Sequence, residues 1–320
     1  MTAAATACTA HRADRGYRHE AFFYDGPGDF IAGISAFVRE AVAAGEPVLV
    51  VLNAAKIEAL RQELGADADG VLFADMADVG DNPARIIPAW EEFVARHAAP
   101  GRRLWGIGEP IWAERSVAEL AECQRHEALL NVVFSDPDFS LLCPYDTTAL
   151  PAEVIEEARR NHPFVRADGR SAQSDRFPGP GALAAPFDEP LSSPPGDASS
   201  LAFDVDDLIG LRDLVHAAGV AVGLSSGRVA DLVLAVNEIA TNSIVHGGGE
   251  GTLQLWQELD RIVCEVRDSG RIEDPLVGRR APGEDPAASR GLWIANQLCE
   301  LVQVRAFADG GAVRLHMRLD

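Results

Sequence analysis

Between Arg166 and Ser200 the chain reads RADGRSAQSDRFPGPGALAAPFDEPLSSPPGDASS, and this stretch limits the fold more than any other feature. It is crowded with Pro, Gly, Ser and Asp and has little periodic apolar content. Such a segment buries too little surface to offset the entropy of ordering it, so it reads as a flexible linker. A single core cannot run through it. The 320 residues therefore divide into about 165 before the break and 120 after it. Length alone points the same way, because single cores stop growing at about 250–300 residues. With 47% apolar residues, each part has material for its own core.

Before the break, short apolar runs alternate with amphipathic stretches. Strands are expected at Glu20–Tyr24, Pro47–Leu52, Val71–Ala74, Arg103–Gly106 and Phe139–Cys143. Helices are expected at Gly28–Ala44, Ala54–Leu64, Pro83–Ala98, Ser116–Val133 and Pro151–Asn161. This alternation specifies an α/β unit with a parallel sheet covered on both faces. After the break the order changes. A short strand at Leu201–Val205 and a helix at Asp206–Ala218 precede a long helix from about Gly227 to His246, which Ser225 and Ser226 can cap. Strands follow at Gly251–Leu259 and Arg261–Asp268, then a Gly/Pro-bearing loop from Ser269 to Ala287, long enough to be a lid. A helix at Ala288–Leu301 and two strands, Val302–Ala308 and Ala312–Leu319, joined at Asp309-Gly310-Gly311, end the pattern. Clustered helices with antiparallel strands form a two-layer α/β sandwich.

The formal net charge of -21 repels nucleic-acid phosphates and anionic membranes, so neither direct nucleic-acid binding nor membrane association is expected. The five cysteines, Cys8, Cys123, Cys143, Cys264 and Cys299, are scattered and form no CxxC pair. Together with the lack of a signal-peptide run or an apolar stretch of about 20 residues, this predicts a cytoplasmic protein without disulfides.

Chemistry concentrates after the break. Along the long helix, Val229, Leu232, Val233, Val236, Ile239, Ala240 and Ile244 make an apolar face. Glu238 and Asn242 are four apart and share another face, and His246 continues that line by a turn. A solvated helix face often carries such a pair, so the spacing is weak by itself. Its company is more specific: Asp268-Ser269-Gly270 follows an alternating strand, and Arg290-Gly291-Leu292 precedes an apolar helix.

In order and spacing these segments resemble the GHKL (HATPase) ATP-binding family in its anti-sigma-factor kinase version. Asn237-Glu238-Ile239-Ala240-Thr241-Asn242-Ser243-Ile244-Val245-His246-Gly247 is similar to the N-box, Asp268-Ser269-Gly270 to the start of the G1 box, and Ser289-Arg290-Gly291-Leu292 to the G2 box. The resemblance covers residues 201–320 and implies the Bergerat ATP-binding fold with ATP and magnesium as cofactors. It implies that Asn242 binds magnesium through its amide oxygen, a hard ligand for a hard cation. It makes Glu238 the general base. It gives the adenine amino group to Asp268, close backbone approach to Gly270, and the phosphates to the N–H groups around Gly291, with Arg290 adding charge. His246 and Leu292 complete the set facing the nucleotide.

Departures from the family pattern are Arg271 where a second glycine is usual, Leu292-Trp293 after Gly291, and Gly311-Ala312 near the end. A histidine-kinase mechanism requires a helical hairpin bearing a phospho-accepting His ahead of this region, and the stretch before Leu201 offers none. The reading is a bacterial serine/threonine kinase and anti-sigma factor. It acts on an anti-anti-sigma (STAS-type) partner, a sigma factor, or both, and homodimerisation is a family expectation. A non-catalytic, ATP-dependent sigma-sequestering module is the alternative.

The first part carries His19-Glu20, Gly108-Glu109-Pro110-x-Trp112, Glu127-x-x-x-Asn131, Cys143-Pro144-Tyr145-Asp146 and His162-Pro163. Together these resemble the MEDS sensory domain, a RecA-like module, over residues 17–165, with residues 166–200 as linker. The resemblance implies a small-molecule or protein signal. His19, Cys143 and His162 are metal-capable but far apart in sequence, and satisfied buried histidines are the plainer reading. Glu109 and Glu127 are expected either as surface charges paired with Arg115 or Arg125, or in a cleft at the strand ends.

Overall fold

The computed structural model describes residues 16–167, 169–179, 189–282 and 290–320. The chain forms two compact units, one of Met1–Val79 with Ala89–Leu183 and the other of Gly80–Pro88 with Ala184–Asp320. The fold is mixed α/β, with a mostly parallel sheet in the first unit and an antiparallel sheet in the second.

In the first unit, strands β1 (Arg18–Tyr24), β2 (Val48–Leu52), β3 (Val71–Asp75), β4 (Leu104–Gly108), β5 (Phe139–Asp146), β6 (Phe164–Ala167) and β7 (Arg170–Gln173) lie in the order β3-β2-β4-β5-β1-β6-β7. Every neighbouring pair is parallel except β6 with β7. Helices α1 (Gly26–Ala44), α2 (Ala54–Leu64), α3 (Met76–Gly80), α4 (Ile86–His97), α5 (Val117–Val133) and α6 (Ala152–Asn161) fall between the strands. Local chemistry sets their limits. Gly45 ends α1 in a left-handed conformation, Asn53 caps α2 by accepting from the Lys56 N–H, and Ser116 with Glu119 forms a reciprocal capping box on α5. Side chains alternate along β1. Phe22 and Tyr24 join Phe30, Ile34 and Val38 of α1 in one cluster, whereas His19 turns to Glu127 of α5 on the opposite face. A sheet covered on both faces explains near-continuous apolar strands such as Val48-Leu49-Val50-Val51-Leu52.

The linker expectation needs correction at both ends. Phe164–Ala167 and Arg170–Gln173 pair as antiparallel strands β6 and β7, and β6 pairs in parallel with β1. β7 is polar and exposed and β6 has only four residues, too few for an apolar period, which is why the composition concealed them. Further on, Arg305 Nε donates to the Glu189 carbonyl at 3.0 Å, and Arg314 donates to Ser192 Oγ at 3.0 Å and to its carbonyl at 2.5 Å. Residues 168 and 180–188 lie outside the described residues.

The second unit contains β8 (Ser199–Phe203), α7 (Leu208–Ala221), α8 (Ser226–His246), β9 (Gly251–Glu258), β10 (Arg261–Asp268), α9 (Arg290–Leu298), β11 (Leu301–Phe307) and β12 (Gly310–Arg318). The antiparallel order is β11-β12-β10-β9-β8. One core joins α7, α8 and α9 to a single sheet face. Val229, Leu232, Val236 and Ile239 of α8 meet Ile262, Cys264 and Val266 of β10, and burying each such aliphatic chain contributes about 1.5–3 kcal/mol. Ser225 stands at the N-cap of α8, but its side chain makes no capping bond; its backbone N–H donates to Asp320 Oδ2 at 2.5 Å. On the other sheet face Glu265 is buried and accepts from Arg314 and Arg267 at 2.7 and 2.6 Å.

Residues 80–88 belong structurally to this second unit, although the sequence pattern groups them with the first. Asn82 Nδ2 donates to the carbonyls of Asn296 and Cys299, each at 3.1 Å. Arg85 donates to the carbonyls of Asn296, Gln297 and Cys299 at 2.8, 2.9 and 3.1 Å. The last carbonyls of α9 have no partners inside the helix, and a cation there also suits the helix dipole. The helix expected over Pro83–Ala98 accordingly begins as a 3₁₀ turn at Pro83–Arg85 and becomes α-helical at Ile86. Among the described residues, no helix is long and apolar enough to cross a membrane.

Candidate functional site

The second unit carries a pocket where the end of α8, the end of β10 and the start of α9 meet. It encloses about 200 Å³. Ile239, Ile272, Val277, Leu292 and Val313 give it apolar walls, and Asn242, His246, Asp268, Gly270 and Arg271 supply polar atoms. Asp268 is fixed before any ligand arrives. Ser243 Oγ donates to Asp268 Oδ2 at 2.5 Å, and the Gly270 N–H donates to Oδ1 at 2.8 Å. Each carboxylate oxygen keeps a free lone-pair direction for one more donor.

Two glycines are required by close approach. A Cβ on Gly270 would lie 2.8 Å from the His246 carbonyl oxygen and 2.9 Å from Asp268 Oδ1. A Cβ on Gly291 would lie 2.9 Å from Asn242 Nδ2 and 3.2 Å from Glu238 Oε2. The first turn of α9 therefore abuts the Glu238–Asn242 face of α8.

Asn242, His246, Asp268, Gly270 and Leu292 all line this pocket, and Gly291 sits directly behind it against Asn242. Glu238 and Arg290 are not among the described lining residues; Glu238 reaches the arrangement through Gly291, and Arg290 is exposed at the first residue of α9. Residues 283–289, which include the last five residues of the expected lid and Ser289, lie outside the described residues. Ser243 was missed as a functional residue. Its signal was a hydroxyl on the buried side of an otherwise apolar helix, a position that demands a hydrogen-bond partner.

A larger neighbouring cleft of about 530 Å³ is lined by Asp204, Asp207, Glu250, Asp268 and Asp309, with Arg267 the only basic residue among the described lining. The smaller pocket is less acidic, with Asp268, Glu273 and Asp274 beside Arg271, so phosphates reach it only with a cation to offset that charge. The donor set there suits a purine nucleotide with a hard cation. Apolar walls would take a ring, Asp268 an amino group, Asn242 a hard cation, and the start of α9 phosphate oxygens.

The first unit holds two buried polar clusters. At the carboxyl ends of its strands, Tyr24 Oη donates to Glu109 Oε1 at 2.8 Å, and Lys56 Nζ donates to both Glu109 oxygens at 2.6 Å. Burial raises the Glu109 carboxyl above its ordinary range, and Lys56 opposes the shift. Lys56 was not legible as a site residue: a lone lysine in a helix's first turn carries no signal.

The second cluster joins His19, Glu127, Cys143 and His162, all 0–1% exposed, with their donor atoms within 4.8 Å of one another. Neither Glu109 nor Glu127 is a surface charge paired with Arg115 or Arg125. Both are buried, and Glu127 faces two imidazoles. Side chains distant in sequence meet because β1 and β5 are neighbours in the sheet and α5 crosses over them.

A parallel α/β unit followed by an antiparallel α/β sandwich with this pocket defines a two-domain chain whose second unit can take a nucleotide. Residues 18–163 match the family model of MEDS, the MEthanogen/methylotroph, DcmR Sensory domain, and residues 201–317 match that of the histidine kinase-like ATPase domain. The chain thus carries a MEDS domain followed by a histidine kinase-like ATPase domain, the composition of an ATP-binding signalling protein. No curated protein matches it.

Proposed function

We propose that the C-terminal domain is a serine/threonine protein kinase that holds Mg-ATP at the α8–α9 pocket. Its substrate is a seryl or threonyl hydroxyl on an anti-anti-sigma, STAS-type partner, and the same surface sequesters a sigma factor, under control of the MEDS domain. Mg-ATP, when bound, supplies the phosphoryl group and the cation that offsets its charge. Asn242 Oδ1 holds the cation. Asp268, locked by Ser243 and the Gly270 N–H, accepts from the adenine amino group. The N–H groups at the start of α9 face the phosphates. Glu238 Oε2 takes the proton of the incoming hydroxyl.

The observation that supports this reading is the convergence of Glu238 Oε2 and the Asn242 amide on Gly291, 3.2 and 2.9 Å from where a Cβ would stand. A base, a cation ligand and a helix start thereby share one place. The test is transfer from radiolabelled ATP to a purified STAS-type protein. Wild type should label it. Glu238→Gln should bind ATP as wild type does and label it about 10²–10⁴-fold more slowly. Full activity in that variant would remove Glu238 from the mechanism.

One observation favours a second reading, a nucleotide-dependent binding module without turnover. Arg271, in place of the usual glycine, lines the pocket and narrows it. ATP binding with no labelling of any hydroxyl-bearing partner would select that module.

A further inference from the structure

Glu127 and the two histidines beside it are arranged in a way that internal packing does not account for. His162 Nδ1 lies 2.7 Å from the Ala158 carbonyl oxygen, which can only accept, so Nδ1 carries the proton and Nε2 presents a lone pair. His19 Nδ1 lies 3.2 Å from Asn131 Oδ1. The Asn131 amide has one orientation, because its Nδ2 donates to the carbonyls of Glu127, Ala128 and Asn161 at 3.2, 3.2 and 2.8 Å. His19 Nδ1 is therefore also the donor, and its Nε2 also presents a lone pair. Both lone pairs point at Glu127 Oε2, at 3.0 and 3.3 Å, and Cys143 Sγ stands 3.3 Å from His19 Nε2. With both rings neutral, two imidazole lone pairs and a carboxylate thus share one weak donor, the Cys143 S–H, in a fully buried space. Among the described residues, His162 Nε2 and Glu127 Oε1 have no hydrogen-bond partner.

We propose that His19 Nε2, Glu127, Cys143 Sγ and His162 Nε2 bind one zinc ion at the centre of the MEDS domain. The donor set is the one zinc prefers, nitrogen and sulfur with a carboxylate oxygen. Zinc takes ligands at about 2.0–2.1 Å from nitrogen and about 2.3 Å from sulfur, which places donors of a tetrahedral site roughly 3.3–3.7 Å apart. Three of the six separations, 3.0, 3.3 and 3.3 Å, need to open by a few tenths of an ångström, and the other three lie within 4.8 Å and close by about an ångström at most. Charge closes as well: a thiolate and a carboxylate neutralise the dication, and two neutral imidazoles add nothing, so the buried site has no net charge. The outer contacts are those of a built metal site, with each imidazole's second nitrogen pinned by a carbonyl or amide oxygen. Four protein ligands leave no open position, so the ion holds the fold rather than activating water. It ties β1, α5, β5 and the chain just after α6.

The test uses the full chain carrying no histidine tag, purified with zinc present and then desalted. Elemental analysis should find one zinc per chain. Removal by chelator should lower the melting temperature, and cobalt(II) added to the stripped protein should give intense visible bands of tetrahedral cobalt with a near-ultraviolet thiolate band. Cys143→Ser should lose the near-ultraviolet band. Asn131→Ala, which frees one imidazole, should weaken zinc binding about 10–100-fold. Near-ultraviolet circular dichroism and the urea-unfolding transition of the first unit report that each variant is folded. A chain that retains no zinc after desalting and shows only weak octahedral cobalt bands would overturn the proposal; that result would mean a proton, not an ion, joins Glu127 to the histidines. A thiolate band that survives in Cys143→Ser would do so too.

Discussion

Gly291 is the residue on which the nucleotide site turns. Alanine is favoured over glycine in a helix by about 1 kcal/mol, so Gly291→Ala would ordinarily stabilise α9. Here the added methyl would lie 2.9 Å from Asn242 Nδ2 and push that amide aside. The variant should melt within a few degrees of wild type yet bind Mg-ATP about tenfold more weakly, equivalent to about 1.4 kcal/mol, by calorimetry. Unchanged affinity would mean that the α8–α9 contact does not organise the site. Glu109 gives a second prediction at this scale. Its carboxyl is raised above the ordinary 4.5 by burial. A folded state that holds a proton more tightly than the unfolded state loses that contribution as pH rises from the unfolded value through the raised folded one. Relative to Glu109→Gln, wild type should therefore lose stability as pH rises from about 4.5 upward. Urea unfolding at several pH values measures it, and a pH-independent difference would remove the assignment.

Elements differ in how much of them the sequence revealed. Arg261–Asp268 and Ala54–Leu64 have the bounds that their alternation and helical period predict. Asn242, Asp268, Gly270 and Leu292 could be found because the box segments have fixed local spacing and meet in one pocket. What stayed hidden depends on distant partners. β7 is polar and exposed and the partly buried β6 is only four residues long, so the hairpin writes no periodic pattern. Glu127 reads as a surface charge until the topology places β1 beside β5. Asn82 and Arg85 look like ordinary turn residues, yet their side chains cap a helix more than two hundred positions later. Asn82 is buried and serves two carbonyls of the α9 end region. Asn82→Ala removes one of the two donors to each carbonyl, Arg85 keeping the other, and leaves the buried Ala84 N–H without its acceptor, which should cost about 1–3 kcal/mol in urea unfolding of the second unit. A loss below about 0.5 kcal/mol, the range of ordinary surface substitutions, would show that the cap is not needed.

At the scale of the whole molecule, the excursion of Gly80–Pro88 into the second unit means that the two units are not cut from the sequence at one point. A chain of residues 184–320 alone lacks the Asn82 and Arg85 donors. It should melt at a lower temperature than the same unit in the full protein, and a peptide spanning residues 80–88 should partly restore it. Equal melting temperatures would contradict that dependence. The central claim is that this unit holds Mg-ATP through Asn242 beside Glu238. Titration calorimetry of ATP into the full chain, with magnesium and then with a chelator, tests it most directly on wild type and Asn242→Ala. Wild type should bind more tightly with magnesium, and Asn242→Ala, still folded, should lose this magnesium dependence. Mg-ATP affinity in Asn242→Ala equal to wild type, with the magnesium effect intact, would contradict it.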